Sequence, residues 1–355
     1  MTRTLDGADV LILGGTGSLG QRLFHRLLSD ELGPPRSVTV LSRDEAKQHY
    51  MRLDFMRLAT ATEEVIFGES VKRVRWMIGD VRSYPDVKRA VDRADVIFHA
   101  AAMKQVPTCE YFGSAAVDTN VNGAINLVRA LREGPRETKS VVGISTDKAC
   151  KPVNLMGMTK AIQERILVQG NLDTPWARLV NVRYGNVMAS RGSAIPHFID
   201  LVRRGQPIPI TDERMSRFLM TLNQSVDLVF AAYAHAHPGE TFLPMVPSAR
   251  VVDMALAVAE NPDYPLTISG IRPGEKIHEI LVSEEEAPHT VMRDGRLVIL
   301  PILPELRVEG GSPDLPFRGE YTSGEDMLPL PEVMGLLRDH GLTVSTAPHA
   351  GEILH

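Results

Sequence analysis

The run Ala8-Asp9-Val10-Leu11-Ile12-Leu13-Gly14-Gly15-Thr16-Gly17-Ser18-Leu19-Gly20 decides how the rest of this 355-residue chain is read. Its first six residues have the length and apolar content of a short buried strand, and Gln21 to Ser29 has the spacing of an amphipathic helix. Between them Gly14, Gly17 and Gly20 form G-x-x-G-x-x-G. The missing side chains permit a tight turn, the close approach of a pyrophosphate, and tight packing of helix on strand. A glycine triplet alone is a weak signal. At the first strand-helix junction it points to a dinucleotide site, with Thr16, Ser18 and Leu19 in the same phosphate-facing loop.

Outward from this loop the strand-helix alternation continues. Ser37 to Leu41 is a second strand, ending in Ser42-Arg43-Asp44-Glu45. An acid directly at that end would favour NAD, but Ser42 and Arg43 come first. A hydroxyl and a guanidinium suit a ribose phosphate and favour NADP, unless Arg43 only caps a solvated loop. Lys47 to Phe67 reads as a helix. Val74 to Ile78 is a third strand running into Gly79-Asp80-Val81-Arg82, where Asp80 is either an acceptor for an adenine amino group or a plain loop acid. Asp95 to Ala102 is a fourth strand, whose small residues Ala100 and Ala101 let the backbone pass close to a cofactor. His99 belongs to the packing of that strand end. Lys104 follows on the carboxyl side of the sheet, facing ligand or solvent. Asp118 to Leu131 reads as a helix, Ser140 to Ile144 as a fifth strand, Met158 to Gly170 as a helix and Arg178 to Arg183 as a sixth strand. Such repeats without a long linker argue for a doubly wound parallel sheet.

The fifth strand delivers Ser145-Thr146-Asp147-Lys148 to the same edge. In a short-chain dehydrogenase a Tyr stands four residues before the catalytic Lys. Here Met156 precedes Lys160, and a thioether neither gives nor takes a proton. Either the chemistry is lost or another group in the stretch performs it. Cys150 reads as a small packed thiol, and Cys109 lies too far from it for a zinc or redox pair.

Beyond Asn186 the alternation loosens. Ile195 to Val202 and Ser225 to Ala236 read as helices, and Thr241 to Val246 as a strand that returns to the main sheet. Arg191, Arg214 and Arg217 suit a diphosphate or simply form a solvated basic loop. Ile268 to Leu281 reads as a turn entering a short helix, with Arg272 a further diphosphate ligand. Ser283 to His355 gives no catalytic signal and reads as a peripheral tail. The net charge of −5 and the scattered basic clusters argue against nucleic acid and anionic membranes as partners. No signal pattern or spanning apolar run appears, and no metal-ligand spacing, so a cytoplasmic protein without a metal is expected.

Taken together, these motifs resemble the extended short-chain dehydrogenase/reductases, and among them the bacterial UDP-N-acetylglucosamine 4,6-dehydratases. The resemblance runs over residues 8 to 282, through Gly14 to Gly20, Ser42 to Gln48, Gly79 to Arg82, His99 to Pro107, Ser145 to Lys160, Arg183 to Pro196, Arg217 to Thr221 and Gly270 to Leu281. Met156 is shared with the branch that also inverts carbon 5, as is Arg183 to Ser193. Asn154-Leu155 and Arg272-Pro273 are nearer the Tyr-bearing branch.

The resemblance implies an α/β fold with an NADP-binding Rossmann domain over 6–187, a substrate domain over 188–300 and a tail over 301–355 that serves a homo-oligomer contact. It implies a UDP-sugar held by Lys104, Asn186, Arg191, Ser193, Arg217, Arg272 and Glu275. It assigns Asp147 as acid at the oxygen on carbon 6, Lys148 as base at carbon 5, Thr146 to the oxygen on carbon 4 and Lys160 to the nicotinamide ribose. Asp147 then needs a pKa raised by burial, and Lys148 one lowered by burial or by a cation such as Lys104 or Lys160. The proton of the 4-hydroxyl falls to Lys148 or to a water held by Lys160. A 4-epimerase and a cofactor-binding scaffold are the competing functions.

Overall fold

Every residue of β1 (Asp9–Leu13) is buried, and its side chains alternate between two apolar layers, as a strand covered on both faces requires. Val10 and Ile12 pack with Leu23, Phe24 and Leu27 of the helix Ser18–Leu28 and with Val226 and Val229 of the helix Leu222–His235. Leu11 and Leu13 face the other way, against Val87, Val91, Leu127 and Leu131. Burying one such side chain contributes about 1.5–3 kcal/mol, so this strand fastens helices on both sides of the sheet.

The computed structural model describes residues 3–61, 72–134, 138–188, 193–307 and 315–347. Around β1 lie β2 (Ser37–Ser42), β3 (Val74–Ile78), β4 (Val96–His99), β5 (Ser140–Ile144) and β6 (Arg178–Val182), all parallel, in the order β3-β2-β1-β4-β5-β6. Thr241–Pro244 continues the sheet beside β6, also parallel. The strand order reverses between β1 and β4, and open α/β sheets take their ligands at the carboxyl ends beside such a switch.

Three strands of this sheet are absent from the sequence reading. Arg296–Ile299 pairs antiparallel with Thr241–Pro244, Thr290–Arg293 pairs with it in turn, and Leu315–Pro316 forms the edge. The hairpin between the first two turns on Asp294 and Gly295, with φ of 49° and 71°. Two successive positive φ values make the primed turn that matches strand twist.

Two helices also differ from expectation. The helix after β2 is Glu45–Ala61, and residues 62–67 of the expected helix lie outside the described residues. Where Asp118 to Leu131 was expected to be uniform, a single π-turn over Asp118–Asn122 precedes the helix Gly123–Arg132. That wider turn sets Asn120 as a clamp on the loop after β4. Its Oδ1 accepts from Met103 N at 2.8 Å, and its Nδ2 donates to Met103 O at 3.0 Å and to Thr159 Oγ1 at 2.9 Å.

A smaller core gathers Ile195, Phe198 and Ile199 of the helix Ala194–Arg203 with Met254 and Val258 of the helix Val251–Ala259. Val333 and Leu337 of the helix Leu330–Asp339 complete it. The helix Leu330–Asp339 thus packs on the helices Ala194–Arg203 and Val251–Ala259. Gly270 to Glu279, expected to enter a short helix, runs instead as turns into the strand Ile280–Val282. Positive φ at Gly270 and Gly274 and the fixed φ of Pro273 break any helical run there.

Candidate active site

A cavity of about 920 Å³ opens over the carboxyl ends of β1 to β6. Every candidate residue lines it except Arg191, which lies outside the described residues, and Arg214, whose guanidinium is exposed and paired with Asp212. The two halves of the cavity differ in chemistry.

The first half is built on the glycine loop. A Cβ on Gly14, where φ is +81°, would lie 2.6 Å from the Ala101 backbone, and one on Gly20 would lie 2.6 Å from Gly15 Cα. These two glycines serve the packing of the protein itself. A Cβ on Gly17 would meet nothing closer than Gly14 O at 3.5 Å, yet Gly17 lines the cavity. Its missing side chain therefore leaves room for a ligand. Gly17 also caps the helix Ser18–Leu28 with no side-chain bond and no acid in the first turn, so the first N–H groups remain available to an anion. The loop fits the pyrophosphate of a dinucleotide.

At the end of β2, Ser42 Oγ lies 2.8 Å from Thr16 Oγ1 and accepts from Asp44 N. Asp44 is paired with Lys47 at 3.0 Å, which leaves Arg43 as the exposed charged group on the rim. Asp80 lines the far end beside Val81, with its carboxylate gripped by Arg82 at 2.6 Å. Ala100 and Ala101 form the wall, and Leu19 and Ser18 the turn beneath it.

The second half holds the proton-handling groups. Thr146 caps the short turn Asp147–Ala149 through the N–H of Lys148. Its hydroxyl donates to Asp147 Oδ1 at 2.8 Å. Asp147 is 1% exposed, and its Oδ2 has no hydrogen-bond partner among the described residues. Lys148 Nζ lies 3.1 Å from Asp147 Oδ1 and 3.0 Å from Glu279 Oε1, and Arg217 Nε stands 3.6 Å from the same Glu279 oxygen. Gly157 makes this packing possible, because a Cβ there would lie 2.1 Å from Lys148 O.

Burial raises the Asp147 carboxyl above the usual carboxylate range, with Lys148 opposing and Glu279 adding to the rise. Lys148 corrects the expectation of a lowered pKa. Burial pulls its ammonium down, but the two carboxylates outweigh burial, and the net shift is upward. Burial likewise pushes Glu279 up, and Lys148 with Arg217 more than reverses that, so it is held ionised. The cluster is thus a carboxyl held above its usual range, an ammonium and a carboxylate. Glu279 was missed in the sequence, although an acid set among Ile277, Ile280 and Leu281 is a usable sign of burial.

Lys160, expected to serve the nicotinamide ribose, lines the cavity from a buried position. It is 5% exposed, and its Nζ donates to Ile144 O and, at 2.6 Å, to Gln163 Oε1. Burial lowers it to about 7. Met156, 4% exposed, packs with Cys109 and Ala116 at the cavity wall. His99 is wholly buried, and burial lowers it to about 3. The Cys150 thiol points at Glu286 and is pushed up to about 12 by burial, so it is an inert packed group.

Lys104, Asn186, Ser193, Arg217, Arg272 and Glu275, the residues expected to hold a UDP-sugar, line the same cavity. Asn186 Oδ1 lies 3.5 Å from Lys148 Nζ. Burial lowers the Lys104 ammonium. Lys276, also on the wall, donates to Cys150 O at 2.6 Å.

Comparison with known proteins places this geometry. A family profile described as polysaccharide biosynthesis protein matches residues 10–300. Over 282 residues the chain is 41% identical to a Rickettsia massiliae protein named UDP-glucose 4-epimerase, with 78% of each chain covered. Over 299 residues it is 38% identical to a Campylobacter jejuni protein named UDP-N-acetylglucosamine 4,6-dehydratase (inverting), covering 83% of this chain and 84% of the other. The Streptomyces venezuelae dTDP-glucose 4,6-dehydratase DesIV, solved with NAD and TYD bound, superposes with a TM-score of 0.63 at 19% identity, covering 76% of this chain and 86% of that one. At that identity the likeness speaks for the fold.

Proposed function

The chain belongs to the polysaccharide biosynthesis protein family, and from that premise we propose that it is a nucleotide-sugar 4,6-dehydratase acting on UDP-N-acetylglucosamine with inversion at carbon 5. The observation that carries this reading is the Asp147–Lys148 pair, a buried carboxyl of raised pKa 3.1 Å from an amine on the cavity lining. Oxidation at carbon 4 acidifies the hydrogen on carbon 5, and elimination then needs a base there and an acid at the oxygen on carbon 6.

The loop of Gly14, Gly17 and Gly20, with Ala100 and Ala101 as its wall, would hold a nicotinamide dinucleotide, which would supply the redox chemistry by taking a hydride from carbon 4 and returning it at carbon 6. The chain's residues handle protons and geometry. Lys148 takes the carbon-5 proton and Asp147 protonates the departing oxygen. Lys148 must first be neutral, and Glu279 at 3.0 Å is a carboxylate in contact with it that can take its proton. Arg217 and Arg272, whose guanidiniums suit a diphosphate, line the cavity together with Lys104 and Ser193, which supports their assignment as its ligands. Lys160, bonded to Ile144 O and Gln163, braces the end of β5.

Several relatives are named epimerases, which favours a second reading as a 4-epimerase. An epimerase returns hydrogen to carbon 4 and needs no acid at carbon 6, so the Asp147–Lys148 pair speaks for dehydration. Incubation with UDP-N-acetylglucosamine, and separately with UDP-glucose, is expected to give a product lighter by one water from the first sugar. A product of unchanged mass would instead establish epimerisation, and no product with either sugar would leave a cofactor-binding scaffold.

For the cofactor, Ser42 and Arg43 at the end of β2 support NADP. Arg43→Ala is expected to weaken NADP+ binding about tenfold, the loss of one charged hydrogen bond of about 1.5 kcal/mol. NAD+ affinity should change by less than about twofold, since its ribose offers no phosphate to the guanidinium. Fluorescence titration of the reduced cofactors measures both, and equal losses would remove the basis for NADP.

A further inference from the structure

One proton in the proposed reaction lacks a handler. The 4-hydroxyl must lose a proton as carbon 4 is oxidised, and Met156 has no group to take it. The two lysines nearest the question are both engaged. Lys148 is held as an ammonium between Asp147 and Glu279, and the Lys160 amine is buried against Ile144 O and Gln163.

Thr146 is not so constrained. Its side chain is half-buried, lines the cavity, and donates its hydroxyl proton to Asp147 Oδ1 at 2.8 Å. Its one other bond is a long contact of 3.4 Å from Lys148 N. Because the hydroxyl proton points at Asp147, Thr146 Oγ1 presents a lone pair and not a donor to an incoming alcohol. The polarity is therefore set in one direction, from substrate hydroxyl to Thr146 to Asp147.

Resting on the dehydratase reading above, we propose that Thr146 and Asp147 form a proton relay that replaces the missing tyrosine. As carbon 4 is oxidised, the 4-hydroxyl proton passes to Thr146 Oγ1 while the Thr146 proton passes to Asp147 Oδ1, and the carbonyl forms. Asp147, now a carboxylic acid, gives a proton to the oxygen leaving carbon 6, which departs as water. Lys148 removes the carbon-5 proton and returns it after carbon 6 is reduced. The proton count closes: the proton lost by the 4-hydroxyl leaves in the water, and the carbon-5 proton is restored. Asp147 serves first as base and then as acid. Its raised pKa suits both roles, because a carboxylate held above its usual range is a better acceptor for an alcohol's proton.

The relay separates the first step from the chemistry at carbon 5, and the test uses that separation. In single turnover with cofactor-loaded protein and UDP-N-acetylglucosamine, Thr146→Val and Asp147→Asn are each expected to slow formation of reduced nicotinamide at least ~100-fold. Thr146→Ser, which keeps the hydroxyl, is expected to stay within ~10-fold of wild type. As a second readout, the 4-keto-6-deoxy product is incubated in heavy water and deuterium at carbon 5 is followed by NMR. Thr146→Val is expected to keep this exchange, because Lys148 performs it without the relay. A burst of reduced nicotinamide in Asp147→Asn at the wild-type rate would overturn the relay, since Asp147 would then act only after oxidation. Loss of both readouts in Thr146→Val would overturn it too, by showing that the hydroxyl only caps Lys148. Wild-type protein that makes no product and exchanges no carbon-5 hydrogen would overturn the dehydratase reading itself, and the relay with it.

Discussion

Lys148→Ala is expected to lower kcat for dehydration by about 10³-fold, near the middle of what a positioned general base contributes. KM for the UDP-sugar should move by less than about threefold, because in the proposed reading the diphosphate falls to Arg217 and Arg272 and not to this amine. Two other lysines that line the cavity are engaged elsewhere. Lys160 spends its Nζ on Ile144 O and Gln163, and Lys276 donates to Cys150 O. Removing Lys148 also takes away the charge that opposes burial at Asp147 and at Glu279. Both carboxyls then shift upward, and the activity that remains should peak at higher pH than in wild type. Deuterium exchange at carbon 5 of the product should vanish with turnover. Near-normal kcat in this variant would remove Lys148 from the mechanism, and retained exchange would move the carbon-5 base elsewhere.

The parts of this site that were legible in the sequence are those whose chemistry is local. Gly14, Gly17 and Gly20 act within a single turn, so their spacing carries their meaning. Thr146, Asp147, Lys148, Met156 and Lys160 follow one strand in sequence, and the strand end delivers them together. Glu279 was not legible in the same way. It matters only because the strand Ile280–Val282, paired with Tyr321–Thr322, brings it against Lys148. That contact inverts the expected shift of the lysine, and a short stretch of sequence holds no trace of it. The π-turn at Asp118–Asn122 was hidden for another reason. One added residue in a helical turn leaves the apolar spacing of Val121, Leu127 and Leu131 nearly unchanged. The hairpin Thr290–Arg293 with Arg296–Ile299 did leave a signal, the Asp294-Gly295 pair between two apolar runs. It was passed over because the acidic, proline-rich surroundings read as a tail.

Arg183→Leu is expected to produce the largest loss of stability in the protein, about 3–5 kcal/mol at neutral pH, since it breaks a buried charge network by removing one side of it. Arg183 is 3% exposed and directs its guanidinium at two carboxylates. It bonds Glu164 at 3.0 and 2.7 Å, Glu286 at 2.7 and 2.8 Å, and Leu281 O at 2.9 Å. A leucine fills the space but leaves both acids buried without their cation. The pH dependence identifies this cause. In wild type the Glu286 carboxyl is held below its ordinary range: burial would raise it, but Arg183 outweighs burial. Its contribution is therefore present above the unfolded carboxyl pKa and is lost as pH falls through the folded value. Without Arg183, burial dominates and the folded pKa rises above the unfolded one, so the variant gains stability as pH falls. The gap between the two proteins should accordingly narrow in acid, where a simple packing defect would leave it constant. Urea unfolding at neutral pH and at a pH below the unfolded carboxyl range measures both. The consequence for catalysis follows from position. Arg183 joins the end of β6 to the segment that follows Ile280–Val282, and so fixes Tyr184, Gly185 and Asn186 against the cavity. Asp147 N donates to Tyr184 O at 3.0 Å, so a shift of this strand end is passed directly to the backbone that carries the acid. The Arg183→Leu variant should therefore lose kcat even under conditions where it remains fully folded.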